Sequence, residues 1–124
     1  MSVTTSDLIR GFGAGDVPPY EPHNVSSTVL TNQILVAGGE CLLYGFTVYN
    51  NKNAAQFIQV FDLSAIPGSG AVPDVVFTVA TIANLGVNWF PARVMRKGCV
   101  LVNSSTAATF TQGSADCWFD VQVY

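Results

Sequence analysis

Charge is what this chain has least of. Asp, Glu, Lys and Arg make up 10% of its 124 residues, against roughly 25% in a typical soluble domain, while the apolar set reaches 49%. So thin a charged shell is a poor cover for a lone monomer, which points to surfaces closed by other chains. Basic residues number five, at Arg10, Lys52, Arg93, Arg96 and Lys97, in a chain of net charge −3. That excludes the clustered cationic face that neutralises phosphates, so no nucleic-acid partner is expected. There is no run of about 18 apolar residues to span a membrane, and residues 1–16 lack the basic start and apolar stretch of a signal peptide. The expectation is synthesis in a cytoplasm, with no membrane partner.

Catalytic and metal-binding residue types are equally scarce. The single histidine, His23, stands between Pro22 and Asn24, in a segment too irregular to orient a base against a nucleophile. Cys41, Cys99 and Cys117 are an odd number with no Cys-x-x-Cys spacing, each in an apolar run. They read as reduced, buried thiols rather than as a disulfide framework or zinc knuckle. Gly11, Gly13 and Gly15 match a phosphate loop in letters only, because no strand precedes them and no regular helix follows. Asp116 and Asp120, four apart on one strand face, stand about 13 Å from each other, loose for a glycosidase pair. Asp62 and Asp74 flank a long connection where calcium is conceivable and a solvated loop is the simpler reading. Neither a catalytic residue nor a cofactor or metal is assigned, and the chain is expected not to be an enzyme.

What is present is β-strand texture. From Ser26 onward, short runs rich in Val, Ile, Phe and Thr recur about every ten residues between Gly, Asn, Pro and Ser clusters, the spacing of an antiparallel sandwich. Strands are expected near residues 28–36, 41–49, 56–63, 75–82, 88–95, 99–103 and 116–124, with a short one at 108–111. No window carries a helical apolar period. Alternation puts Leu42, Phe46, Val48, Phe77, Val79, Leu101, Phe119, Val121 and Val123 inside. In the last strand it leaves Trp118 and Tyr124 outside, candidates with Trp89 for an interface or a glycan-stacking platform. Phe57 and Phe61 oppose Ile58 and Val60, so the 56–63 strand is expected to be buried on both faces or to cover a subunit contact.

Residues 1–27 differ from the rest: Gly, Ser, Thr and Pro-rich, they read as an extended N-terminal arm, with the sandwich domain at 28–124. Leu8, Ile9, Phe12, Val17 and Tyr20 are apolar side chains in a segment that cannot build a core alone, and are the arm's candidate partner-binding residues.

The order of segments from Leu43 onward resembles that of small bacteriophage virion proteins that decorate or cement capsids. It is carried by Leu43-Tyr44-Gly45-Phe46-Thr47-Val48-Tyr49-Asn50, then Gln56-Phe57-Ile58-Gln59-Val60-Phe61-Asp62, a Pro-Gly connection, and Pro73-Asp74-Val75-Val76-Phe77-Thr78-Val79. Phe90-Pro91, Gly98-Cys99-Val100-Leu101-Val102 and a closing Phe119-Asp120-Val121-Gln122-Val123-Tyr124 complete it. The resemblance spans roughly two thirds of the chain and implies a jelly-roll-like sandwich that acts without catalysis. It also implies a closed homo-oligomer, such as a trimer, that docks on a major capsid protein or another virion protein. The alternative is a carbohydrate- or receptor-binding module associated with a tail or fibre.

Overall fold

A computed structural model describes residues 21–124. Eight strands make up the secondary structure: β1 (His23–Ser26), β2 (Gln33–Ala37), β3 (Cys41–Asn50), β4 (Gln56–Phe61), β5 (Val75–Val79), β6 (Ala83–Met95), β7 (Cys99–Ser104) and β8 (Cys117–Val123). They form two four-stranded sheets, ordered β1-β8-β3-β6 (sheet A) and β2-β7-β4-β5 (sheet B), with every pairing antiparallel. The fold is the expected all-β sandwich.

The core lies between the sheets. Leu43, Phe46, Val48, Phe119, Val121 and Val123 of sheet A meet Ile58, Val60, Val79, Cys99 and Leu101 of sheet B, all buried. Alternation identified most of these positions, but Leu42 is a correction. The β3 register shifts between Leu43 and Gly45, so Leu43 and Phe46 both point inward and Leu42 is left half-buried on the outer face. A bulge of this kind sets two residues against one and reverses the parity that alternation assumes. Gly45 permits it: a Cβ there would strike the Val87 carbonyl oxygen of β6. Phe77 is likewise only partly buried, packing at the rim of the core.

Two further corrections concern the N-terminal part. His23–Ser26, expected in the arm, is a strand of sheet A, with His23 opposite Val123 and Ser26 opposite Asp120. The strand expected at 28–36 forms only in its second half, as β2, because the chain crosses from sheet A to sheet B before it. Only Thr31, bridged to Cys117, marks the passage before β2 begins.

β4 is buried on both faces, and the cover is the chain's own. Outside sheet B, Phe61, Val100, Val102 and Phe110 form a second small core with Leu63, Ile66 and Ala71. The two loops that supply the cover are bonded to each other, Gly70 N–H to the Phe110 carbonyl and Phe110 N–H to the Ala71 carbonyl, both at 2.8 Å. Residues 108–111 therefore form a plug rather than the expected short strand.

Candidate functional site

Three places on the described chain gather polar or reactive groups, and two of them have a structural role. At one end of the interior, Asn50, Gln56 and Asn103 are buried between the sheets. Gln56 Nε2 donates to Asn50 Oδ1 at 2.7 Å and Asn103 Nδ2 donates to Gln56 Oε1 at 2.6 Å. Asn50 Nδ2 in turn donates to the carbonyls of Ala54 and Ala80. This chain of amides ties sheet A to sheet B where apolar packing ends, and it has none of the acid–base asymmetry that chemistry requires. No motif flagged these residues; their only signal is a polar letter at an inward position of each strand.

At the other end, Asp62 caps the turn between β6 and β7. Its carboxylate accepts from the backbone N–H groups of Arg96 at 3.0 Å, Lys97 at 2.7 Å and Gly98 at 3.3 Å. Desolvation pulls this carboxyl upward, but those donors and the Lys97 charge outweigh it and hold it below the usual carboxylate range. Asp74 Oδ2 accepts the Asp62 N–H at 2.6 Å. Both carboxylates are thus committed to backbone donors. Gly98 is dictated by close approach, since a Cβ there would collide with the Leu63 and Ala37 carbonyl oxygens.

All three cysteines are buried and unbridged. Burial, reinforced by Asp62 and Glu40, raises the Cys41 thiol, and burial pushes Cys99 and Cys117 up to about 12, which makes them poor nucleophiles.

The third place is the outward surface of sheet A. Trp118 and Tyr124 are both exposed on it, as alternation required, but six residues along an extended strand separate them by about 20 Å. They are not one platform. Trp118 instead lies directly across from Tyr49 of β3, with Thr47 and Asp120 as the next cross-strand pair and Asn84 beside Tyr49 on β6. Trp89 does not join them; its ring packs at the core, 6.0 Å from Phe46 and 6.1 Å from Phe77. At the far end Tyr124, Leu42 and Val94 line an open cleft of about 300 Å³ with Glu40 and Cys41.

No family model, curated protein or solved structure matches the chain. The surface must therefore be read from its own chemistry.

β6 supplies the most exposed anchor. Between Asn88, opposite Gly45, and Arg93, opposite Leu43, it carries four residues where β3 carries only Tyr44. Regular alternation along β6 keeps Trp89 inward with Leu85 and Val87 and leaves Phe90, followed by Pro91, fully in solvent on an edge strand. Tyr49 was not among the expected site residues, because alternation alone does not show a cross-strand neighbour. The expected arm contacts Leu8, Ile9, Phe12, Val17 and Tyr20 lie outside the described residues.

Proposed function

We propose that this chain is a non-enzymatic virion structural protein of the capsid-decoration or cement type. It binds and stabilises a bacteriophage shell through homo-oligomeric contacts and its N-terminal arm, with a major capsid protein or another virion protein as partner. The observation that carries the proposal is where the exposed apolar residues fall. Phe90 and Val94 on β6, Leu35 on β2, and Trp118 and Tyr124 on the outer face of sheet A are all open to solvent. In a chain of 10% charge these are positions a second protein would cover. A sandwich whose polar interior groups are spent on holding its sheets together suits a role in which the surface, not a pocket, does the binding. Leu8, Ile9, Phe12, Val17 and Tyr20 add apolar contacts from the arm.

Quantitative mass spectrometry of purified particles tests the proposal. The expected result is a copy number matching the shell symmetry, falling at least tenfold for Phe90→Ser. A chain absent from particles overturns it. One observation favours the second reading, a carbohydrate- or receptor-binding module: the Trp118–Tyr49 pair, rimmed by Asn84, Thr47 and Asp120, has the apolar plate and polar border that sugar rings stack on. Glycan binding by the isolated protein, abolished by Trp118→Ala, would decide for that reading.

A further inference from the structure

Phe90 and the open cleft at the end of sheet A belong to one patch. Alternation along β6 points Trp89 inward and Phe90 to the outer side of the sheet, the side on which Tyr124, Leu42 and Val94 line the cleft. Leu42 pairs with Val94 across β3 and β6, and the Leu42 and Tyr124 backbones exchange hydrogen bonds at 2.9 and 3.0 Å, so the three side chains form one row across the sheet. Phe90 stands four residues before Val94 on the same strand, at most about 14 Å away. It does not fold back into the cleft: it is fully exposed and is not among the residues that line it.

We infer that the cleft receives Phe90 of a second copy of this chain, and that the contact is made twice across a two-fold axis. An apolar site of about 150 Å³ is enough to hold a benzene ring; the cleft is about 300 Å³ and open, which leaves room for a phenyl group whose own strand stays outside. Leu42 and Val94 supply aliphatic walls, and Tyr124 an aromatic one on which a ring packs edge to face or offset. The one charged side chain at the cleft, Glu40, is 3.8 Å from Arg96, so an entering ring meets no unpaired carboxylate. The symmetry follows from the placement. Heterologous contacts join two different patches and close into rings only at particular angles, whereas a patch that holds both knob and cleft is self-complementary, the condition for an isologous pair. A two-fold rotation about an axis between Phe90 and Val94 brings each Phe90 to the other copy's cleft. Two phenyl groups and the cleft walls they cover amount to about 800 Å², the size of a weak, reversible contact rather than a permanent one. The inference rests on the homo-oligomeric part of the proposed function and gives it a partner and a symmetry: Phe90, Val94 and Tyr124 go to the second copy, and Leu35 and Trp118 are left for the shell protein.

Sedimentation velocity of the full-length protein, from about 1 µM to about 1 mM, tests this with no particle present. A reversible shift from one copy to two is expected. Phe90→Ser and Val94→Asp, both at exposed positions, should each raise the dimer dissociation constant at least about tenfold, whereas Val72→Asp, at an exposed position outside the strands, should leave it unchanged; circular dichroism checks that all three stay folded. Mixing the first two variants tests the knob and cleft themselves. A mixed pair keeps one intact contact, Phe90 of the Val94→Asp chain in the cleft of the Phe90→Ser chain, so the mixture should associate more tightly than either variant alone. A wild-type protein that stays a monomer throughout overturns the inference, as does a dimer that Phe90→Ser leaves unchanged or a saturating species of three or more copies. So does a mixture no tighter than its components, which is what direct Phe90–Phe90 stacking would give. Particle binding is read separately: a chain that dimerises but is absent from particles overturns the virion reading alone, and a monomer found on them overturns this inference alone.

Discussion

Gln59 offers a sharp test of how the outer cover of sheet B is held. It is fully buried on β4, and its Nε2 faces the carbonyls of Thr106, Ala107 and Thr109 at 2.9, 3.0 and 3.0 Å. Gln59→Glu keeps the shape and replaces that donor with a carboxyl group aimed at three oxygens. Ionised, it is both desolvated and repelled, so its folded pKa must rise above the ordinary value of about 4.3. The folded state then binds more protons than the unfolded state, and stability falls as pH rises, by up to about 1.4 kcal/mol per pH unit. The fall has a floor, because the plug at residues 105–112 can detach and let water reach the carboxylate. Detachment forfeits the burial of Phe110, about 1.5–3 kcal/mol, and two loop-to-loop hydrogen bonds of about 1 kcal/mol each. The variant should therefore lose roughly 4 kcal/mol relative to wild type between about pH 4.3 and 7, then level off. Urea denaturation at intervals across that range measures the loss, and limited proteolysis near Thr106 should show the plug released at the high end. Parallel pH profiles for the two proteins, with no new cleavage, would refute the account.

The Asp62 cap gives the opposite slope. Its folded pKa is lowered, so the stability it contributes is complete above its ordinary 3.8 and lost as pH falls through the folded value; Asp62→Asn should flatten the acid limb of the wild-type denaturation profile. Gly98→Ala should lower stability by about 2 kcal/mol or more, since both atoms it would meet are backbone carbonyls that cannot move aside, and a thermal melt checks this. The native thiols should resist iodoacetamide at pH 8 and react after unfolding, and intact mass should not change by two hydrogens on reduction. Phe119→Ala, at a buried core position, should cost about 3–5 kcal/mol and leave the domain unfolded or nearly so by circular dichroism.

The sandwich was legible in the sequence because its strands are short, apolar and punctuated by turn residues, and β8 alternates without interruption. Parity failed where the backbone departs from regular pairing. The β3 bulge exchanged Leu42 for Leu43, whereas Trp89 faces inward by the ordinary alternation of β6, hidden because the strand was expected to start near residue 88 rather than at Ala83. His23–Ser26 escaped notice because a four-residue edge strand with one apolar side chain, Val25, has no periodicity to detect. The two-sided burial of β4 was visible in its paired apolar faces, but not the identity of its cover, since Phe110 lies some fifty residues away. The Trp118–Tyr49 pair was hidden for the same reason: alternation reports which side of a strand a residue faces and says nothing of the strand beside it.

The excursion in β6 also bears on how copies of this chain behave when crowded. A thirteen-residue strand at the margin of a sheet is an open template, and identical molecules at high local concentration would tend to add strand upon strand along it. Pro91 has no N–H to offer an incoming strand, and three extra residues throw the edge out of line at its middle. An incoming strand could therefore follow only one regular half of the edge at a time, Ala83–Asn88 or Arg93–Met95, and not the whole of it.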